Sequence, residues 1–245
     1  RTALPVGVLI FTDHINPRRF TATLRTRAVI FGAQTTVAIE SALARERERH
    51  EGFFLPTSAV LDAPFSWSFG DQVWSPGNYN DRYYGTVTLR RALEQSLNAA
   101  TARIAKQVGL KPIRDMARQL GFVRPLPLYP SMVLGSAEVT PYEVAVAFST
   151  LANQGIRVAP LPIKKIVNQD GETLERRFLH LEQGVPPDVA YMVTHLMEGV
   201  VENGTAREAR KMGFVRPAAG KTGTTNDYGD AWFVGFTPDL VAVVW

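Results

Sequence analysis

Residues 218–227 place Lys221 between two glycines, Gly220 and Gly223, immediately before two apolar runs. Glycine inside a strand lets another backbone approach closely, because it carries no side chain. The two runs, residues 231–236 and 240–245, are rich in β-branched and aromatic residues and flank a Thr-Pro-Asp turn. They therefore predict an antiparallel hairpin next to a strand edge that is suited to a bound ligand.

The side chains around Lys221 give that edge its chemical character. Lys221 brings a positive charge, and Thr222, Thr224 and Thr225 bring hydroxyl groups that can donate to a carboxylate or a carbonyl oxygen. We expect the edge to bind an acylated peptide that ends in a carboxylate. The alternative is that Lys-Thr-Gly is an ordinary polar turn before a hairpin.

The composition is that of an ordinary globular protein. The 245 residues are 45% apolar and 20% charged, which is enough to bury a sizeable core. The absence of cysteine excludes disulfides, zinc thiolates and thiol nucleophiles. The four histidines lack metal-ligand spacing and no phosphate-binding glycine pattern occurs, so we expect no metal and no cofactor. The net charge of +4 is dispersed, which does not favour a nucleic-acid partner.

The order of predicted elements indicates an α+β fold. Capping residues and apolar faces predict helices, and an Asp-Gly turn at 170–171 predicts a second hairpin. The stretch 56–85 holds many turn formers and predicts a structured loop region. This order of strands and helices indicates an antiparallel sheet partly covered by helices. The predicted helices cover residues 35–49, 89–93, 99–108, 112–120, 141–154 and 187–202, and the predicted hairpins cover 3–32, 163–178 and 231–245.

Five motifs, in their order and spacing, resemble the transpeptidase domain of class A penicillin-binding proteins, which belong to the serine β-lactamase-like superfamily. The resemblance covers roughly residues 56 to 245. It implies an α+β fold with an antiparallel five-stranded sheet flanked by helices. The motifs are Trp-Ser-Pro-Gly-Asn-Tyr at 74–79, Gly-Thr-Val-Thr-Leu-Arg-Arg-Ala-Leu at 85–93, Ser-Leu-Asn-Ala-Ala-Thr at 96–101, Leu-Gly with Glu-Val-Thr-Pro at 134–141, and Gly-Lys-Thr-Gly-Thr-Thr-Asn-Asp with Asp-Ala-Trp-Phe at 220–233.

The resemblance implies a serine acyl-transfer enzyme that cross-links the stem peptides of peptidoglycan. In that family a serine attacks the D-Ala-D-Ala bond, D-alanine leaves, and an amine of a neighbouring stem resolves the acyl-enzyme. β-Lactams mimic the donor and stall at the ester. The resemblance therefore implies stem peptides and β-lactams as partners, and an extracytoplasmic domain whose membrane anchor lies outside this chain.

The resemblance also implies a role for each matched residue. Ser96 would relay a proton between the catalytic lysine, the leaving amine and Lys221, which would also attract the substrate carboxylate. The Thr224 backbone N–H would form half of an oxyanion hole. Without the family, Ser96 would be a helix-ending hydroxyl and Asn98 a helix cap. The implied catalytic residues are Ser96 and Lys221, and the implied substrate-binding residues are Asn98, Thr222, Gly223 and Thr224.

The nucleophile motif Ser-x-x-Lys is not found. No serine of the chain is followed three positions later by lysine, and an ungapped placement puts Gly32 and Thr35 where that serine and lysine belong. Ser41, the nearest serine, is predicted to be a packing residue. Either the protein is a catalytically dead relative, or the stretch before about residue 53 is translated from a shifted reading frame. Failure to recover Ser-x-x-Lys in either alternative frame of the coding DNA would contradict the second explanation.

We therefore expect residues 53–245 to form a penicillin-binding transpeptidase domain, truncated at its C-terminus. Residues 1–52 would be its divergent or incomplete N-terminal part, and the chain would be inactive unless Ser-x-x-Lys is restored. Two alternatives stay open. One is a D,D-carboxypeptidase or a β-lactamase, and the other is a non-catalytic module that binds stem peptides or β-lactams reversibly.

Overall fold

The structure is a computed structural model that describes residues 7–11, 54–224 and 231–245. The strands are β1 (Gly7–Phe11), β2 (Ala59–Asp62), β3 (Trp67–Phe69), β4 (Gln72–Trp74), β5 (Gly85–Thr88), β6 (Ile156–Val158), β7 (Lys165–Val167), β8 (Thr173–Arg176), β9 (Leu181–Gln183), β10 (Ala219–Thr224), β11 (Ala231–Phe236) and β12 (Leu240–Val244). The α-helices are α1 (Leu89–Glu94), α2 (Asn98–Val108), α3 (Leu110–Leu120), α4 (Pro141–Ala152), α5 (Pro187–Glu202) and α6 (Glu208–Lys211). Short 3-10 turns lie at Tyr79–Asp81 and Pro130–Leu134.

The central sheet of the described residues has the strand order β1-β12-β11-β10. β10, β11 and β12 are antiparallel, as the two apolar runs predict, and Lys221 lies opposite Val234. Four strands of this sheet are described, and the β1–β12 pair is parallel, whereas the resemblance implies antiparallel strands. Short connections force neighbouring strands to be antiparallel, whereas β1 is separated from β12 by most of the chain and is free of that constraint.

Two large hydrophobic clusters and a small one, made of Val200, Val201 and Ala206, form the core of the described residues. The first, here called the sheet cluster, joins α3, α4 and α5 to the central sheet and contains Phe148, Leu196 and Val234. The second, here called the α2 cluster, joins β2, β5, α1 and α2 and contains Val60 and Ile104. Each fully buried side chain of this kind contributes about 2 kcal/mol of burial free energy. The clusters therefore fix α5 against β10 and α2 against β2.

Several local predictions are confirmed. The Thr88 hydroxyl accepts a hydrogen bond from the Arg91 N–H and caps α1. Thr140 and Glu143 form the predicted capping box at the start of α4. The helix α5 has the predicted bounds, and β7 and β8 form the predicted hairpin. Each of these signals is local, so neighbouring residues are sufficient to determine it.

Two local predictions are wrong. Residues 56–85 are more than a loop region, because they contain β2, β3 and β4 and lead into β5. The helix α3 begins at Leu110 rather than at Pro112. Proline is tolerated in the first turn, where its missing N–H needs no partner, and the break between helices comes from Gly109 at a φ of +92°. The predicted helix at 35–49 and most of the hairpin predicted at 3–32 lie outside the described residues.

Candidate active site

The first part of the site is the turn that links α1 to α2. The Ser96 N–H donates to the Leu93 carbonyl at 3.1 Å, and the Leu97 N–H donates to the Ala92 carbonyl at 2.9 Å. This pair of bonds is a Schellman motif, which ends a helix with a residue in the left-handed conformation. Ser96 is that residue, with a φ of +55°. The turn holds the half-buried Ser96 between the two helices.

Lys221 on β10 contacts this turn. Its side chain is fully buried, and its Nζ donates to Ser96 Oγ at 2.9 Å and to the Thr222 carbonyl at 3.0 Å. Burial disfavours the charged amine and lowers the pKa of Lys221 from 10.5 to about 7. Both protonation states of the amine are therefore populated near neutral pH, and the amine can both give and take a proton.

Glycines allow the elements around Lys221 to lie close together. A Cβ added to Gly220 would lie 2.7 Å from the Val234 carbonyl oxygen, so only glycine fits between β10 and β11 there. A Cβ added to Gly204, just after α5, would lie 2.3 Å from the Glu94 carbonyl oxygen. The end of α1 therefore packs directly on the end of α5, which brings the Ser96 turn to β10.

Asn98 begins α2 and connects the turn to the Trp-Ser-Pro-Gly-Asn-Tyr segment. Its Nδ2 donates to the Gly77 carbonyl at 2.9 Å. The structure thus brings Ser96, Lys221 and Asn98 to one region of the molecule. The N-cap residue of α2 is Leu97, so Asn98 does not have the role of helix cap that it would have without the family resemblance.

Residues Thr222, Gly223 and Thr224 complete the Lys-Thr-Gly strand. β10 is at the edge of the described sheet, so one side of its backbone is available to an added peptide strand. Thr222 Oγ1 shares a hydrogen bond with Thr205 Oγ1 at 2.5 Å, and Thr224 is exposed at the end of the strand. Gly223 is buried opposite Trp232. Thr225 lies outside the described residues.

A buried Asp62–Asn78 pair is a feature that sequence reasoning missed. Asn78 Nδ2 donates to both carboxylate oxygens of Asp62, at 2.8 and 3.0 Å, and to the Arg82 carbonyl at 2.9 Å. Asn78 Oδ1 accepts from the Ala99 N–H at 3.0 Å. The Asp62 carboxylate, which is fully buried, also accepts from the Tyr84 N–H at 2.9 Å. The only signal in the sequence was the presence of Asn78 in a motif of the resemblance.

Comparison with known sequences decides the family. The sequence model described as the penicillin binding protein transpeptidase domain matches residues 50–244. This chain belongs to that family. Penicillin-binding protein 1A of Aquifex aeolicus is 41% identical to this transpeptidase domain over 172 residues, which are 70% of this chain and 23% of the relative. Penicillin-binding protein 1B of Haemophilus influenzae is 34% identical over an alignment of 257 residues, which covers 98% of this chain and 32% of the relative.

The fold of the transpeptidase domain is also found in solved structures. The crystal structure of penicillin-binding protein 1A from Haemophilus influenzae superimposes with a TM-score of 0.76 at 24% identity, over 88% of this chain and 36% of the other. The predicted α+β class and the predicted family are therefore confirmed. The division of the chain at residues 52 and 53 stays a prediction.

The roles of all the predicted site residues stay predictions, and so does the place of the nucleophile. Gly32, Thr35 and Ser41 lie outside the described residues, so the geometry around them is not described. Within the described ranges, no group of three or more histidine, aspartate or glutamate side chains could hold a metal ion. The helices in those same ranges are all too short or too polar to cross a membrane.

Proposed function

We propose that this transpeptidase domain is a D,D-transpeptidase that acts on peptidoglycan stem peptides through a serine acyl-enzyme and binds β-lactams at the same site. The observation that carries the proposal is the 2.9 Å hydrogen bond from Lys221 Nζ to Ser96 Oγ. It joins a Lys-Thr-Gly strand to a Ser-x-Asn turn in a member of the penicillin-binding family. The domain would work on the outer face of the cytoplasmic membrane, with its anchor outside this chain.

The Ser96–Lys221 pair suits proton transfer in both halves of such a reaction. In acylation, the nucleophile oxygen bonds to the carbonyl carbon of the penultimate D-alanine while the C–N bond breaks, and the leaving amine needs a proton. Ser96 Oγ can pass that proton on because it contacts the Lys221 amine. When the acceptor amine attacks the ester, the proton travels back along the same groups. The pKa of about 7 matches Lys221 to this two-way transfer.

The edge of β10 suits the extended end of a donor peptide. A peptide that adds to this edge would place its terminal carboxylate beside Thr222 and Thr224, near the charge that Lys221 carries when protonated. Asn98 would form a hydrogen bond with the peptide group of the donor. The backbone N–H of Thr224, which follows Gly223 on β10, would donate to the oxyanion. One such oxyanion donor typically lowers the barrier by about 3 kcal/mol.

The nucleophilic serine and the general-base lysine would belong to a Ser-x-x-Lys motif that this sequence lacks. We expect them near Gly32 and Thr35, so we propose that the chain as given is inactive and that restoring the motif restores acylation. Sequencing the coding DNA tests the shifted frame directly. The motif should appear in an alternative frame over the first 52 residues if the frame explanation is right.

The test is intact-mass spectrometry after incubation with benzylpenicillin. We expect no adduct on the given chain and one adduct, equal in mass to the whole β-lactam, on the variant that carries Gly32→Ser and Thr35→Lys. Adding Lys221→Ala to that variant should slow acylation by about a hundredfold, because it removes the proton path.

Each other outcome contradicts part of the proposal. An adduct on the given chain would show that another serine is the nucleophile. An adduct that is rapidly hydrolysed would indicate a β-lactamase. Reversible binding without an adduct on a folded, restored variant would indicate a binding module rather than an enzyme, and circular dichroism of the same sample checks the fold.

A further inference from the structure

The start of α2 has a cap that comes from a different part of the chain. Its N-cap residue is Leu97, whose side chain cannot accept a hydrogen bond. Serine, threonine, aspartate or asparagine usually fills this position and accepts from the first free backbone N–H groups. Here Asn78 Oδ1 accepts from the Ala99 N–H at 3.0 Å. Asn78 therefore supplies the cap across 21 residues of sequence.

Asp62 determines how Asn78 is oriented. Its carboxylate oxygens accept hydrogen bonds only, so the Nδ2 side of the Asn78 amide must face Asp62 and the Oδ1 side must face Ala99. The reverse orientation would set an oxygen against a carboxylate and an amine against an N–H. Both side chains are buried, at 0% and 7% exposure, so water does not substitute for these bonds.

A second hydrogen bond joins residues 77–78 to the start of α2, and here too the start of α2 supplies the donor. Asn98 Nδ2 donates to the Gly77 carbonyl, while the neighbouring Asn78 accepts from Ala99. Because Nδ2 of Asn98 is held by Gly77, the direction of its Oδ1 is fixed as well. The proposed function gives Asn98 a bond to the peptide group of the donor, and this oxygen can accept that bond from the donor N–H.

We infer that the buried Asp62–Asn78 pair positions the Ser-x-Asn turn, by capping α2 from outside and fixing the side-chain amide of Asn98 for the donor peptide. Asp62 and Asn78 are positioning residues, because each acts through the start of α2. The consequence for acylation rests on the proposed function. The capping of α2 at Ala99 and the orientation of the Asn98 side-chain amide rest on the structure alone.

The test exchanges the two side chains. Asn78→Asp places two carboxylates together, and Asp62→Asn replaces one of the two acceptor oxygens with an NH2 group that faces the Asn78 Nδ2 donor. The double variant Asp62→Asn/Asn78→Asp restores a donor and an acceptor in swapped places and leaves an oxygen for the Ala99 N–H, but it loses the donor to the Arg82 carbonyl, so its recovery is partial. The matched control is Asn80→Asp, the same change at an exposed residue of the same segment.

Two measurements are made on every variant. The first is NMR of the Ala99 amide and the Asn98 side-chain NH2 in the given chain. The second is the second-order rate of benzylpenicillin acylation in the Gly32→Ser/Thr35→Lys background, at a temperature where every variant is folded. We expect each single change to speed Ala99 amide exchange and slow acylation by about tenfold, and the double variant to recover to within about threefold. Asn80→Asp should change neither.

The outcomes separate the inference from the proposed function. If the restored background is not acylated at all, the proposed function fails and the NMR measurement alone decides the positioning role. A double variant no better than the worse single variant would overturn the inference. So would an Asn98 NH2 signal and an acylation rate that do not change in Asn78→Asp.

Discussion

Ser96 holds a backbone conformation that usually belongs to glycine. The helix α3 ends with the same two hydrogen bonds, from Gly121 to Arg118 and from Phe122 to Ala117, and there the left-handed position is a glycine with a φ of +118°. Relative to glycine, a residue with a Cβ lowers the stability of this conformation by about 1 kcal/mol. From this strained position, Ser96 Oγ contacts Lys221. The serine therefore supplies a hydroxyl group that glycine lacks, and its backbone conformation is less stable than that of glycine.

We predict that Ser96→Gly is more stable than Ser96→Ala by about 1 kcal/mol in urea unfolding. Both variants lose the hydroxyl and its bond to Lys221, and only the alanine keeps the strained left-handed conformation. In the restored background both should lose acylation to a similar extent. Equal stability of the two variants would show that the turn carries no strain.

Burial of Lys221 predicts a dependence of stability on pH. The pKa of about 7 in the folded chain is below the unfolded value of 10.5, so between these values the unfolded state binds more protons and stability rises with pH. The cost of burying the charged amine reaches its maximum, about 5 kcal/mol of unfolding free energy, below pH 7, and it disappears above pH 10.5. Lys221→Met should therefore gain stability over the parent at pH 7, and lose most of that advantage by pH 10.

Urea unfolding at several pH values between 6 and 10 measures this difference. The control is Lys211→Met, which removes an exposed lysine that pairs with Glu208. Its stability difference from the parent should stay nearly constant over the same range, because an exposed ion pair contributes little. A constant difference for Lys221→Met as well would contradict the low pKa of the buried amine.

At the scale of elements, the sequence predicts those whose signals are close together in the chain. The capping box at Thr140 and the bounds of α5 needed only neighbouring residues. The strands β2 to β5 were not predicted, because each has only three or four residues, and because β2 pairs with the distant β5, as Ala59 does with Thr88. Turn formers between them dominate the local pattern.

In the site, too, the sequence did not predict contacts between residues that are far apart in the chain. The family resemblance named Ser96 and Lys221, and the structure places them in hydrogen-bond contact, although their roles stay predictions. Neither periodicity nor spacing indicated that Asp62 and Asn78 are partners. Their pairing depends on how β2 and α2 pack, and only the folded chain brings these elements together.

The contact between α1 and α5 is a further element on which the site depends. Gly204→Ala would push a methyl group against the Glu94 backbone, so we predict a loss of about 2 kcal/mol in unfolding free energy and a rise in the Lys221 pKa as water reaches the amine. NMR titration of the lysine side chains measures that pKa. Gly70→Ala is the control, because it adds strain at a φ of +58° in an open turn and should leave the Lys221 pKa unchanged.

On the scale of the whole molecule, the site lies between the two hydrophobic clusters. Leu93 belongs to the sheet cluster and Leu97 belongs to the α2 cluster, so Ser96 lies where the chain passes from one to the other. Asn98 starts the main helix of the α2 cluster, whereas Lys221 lies on a strand of the sheet cluster. Leu126 packs against both clusters.

Because the core is divided mainly between these two clusters, we predict that the parts of the domain that they hold can melt at different temperatures. A β-lactam that has acylated the restored serine would contact Asn98 in one part and β10 in the other, and so would act as a cross-link between them. Calorimetry of the restored variant without the drug should show a broad, non-two-state transition. Its calorimetric enthalpy should exceed its van't Hoff enthalpy. After acylation the two enthalpies should converge, because neither part can then melt without the other.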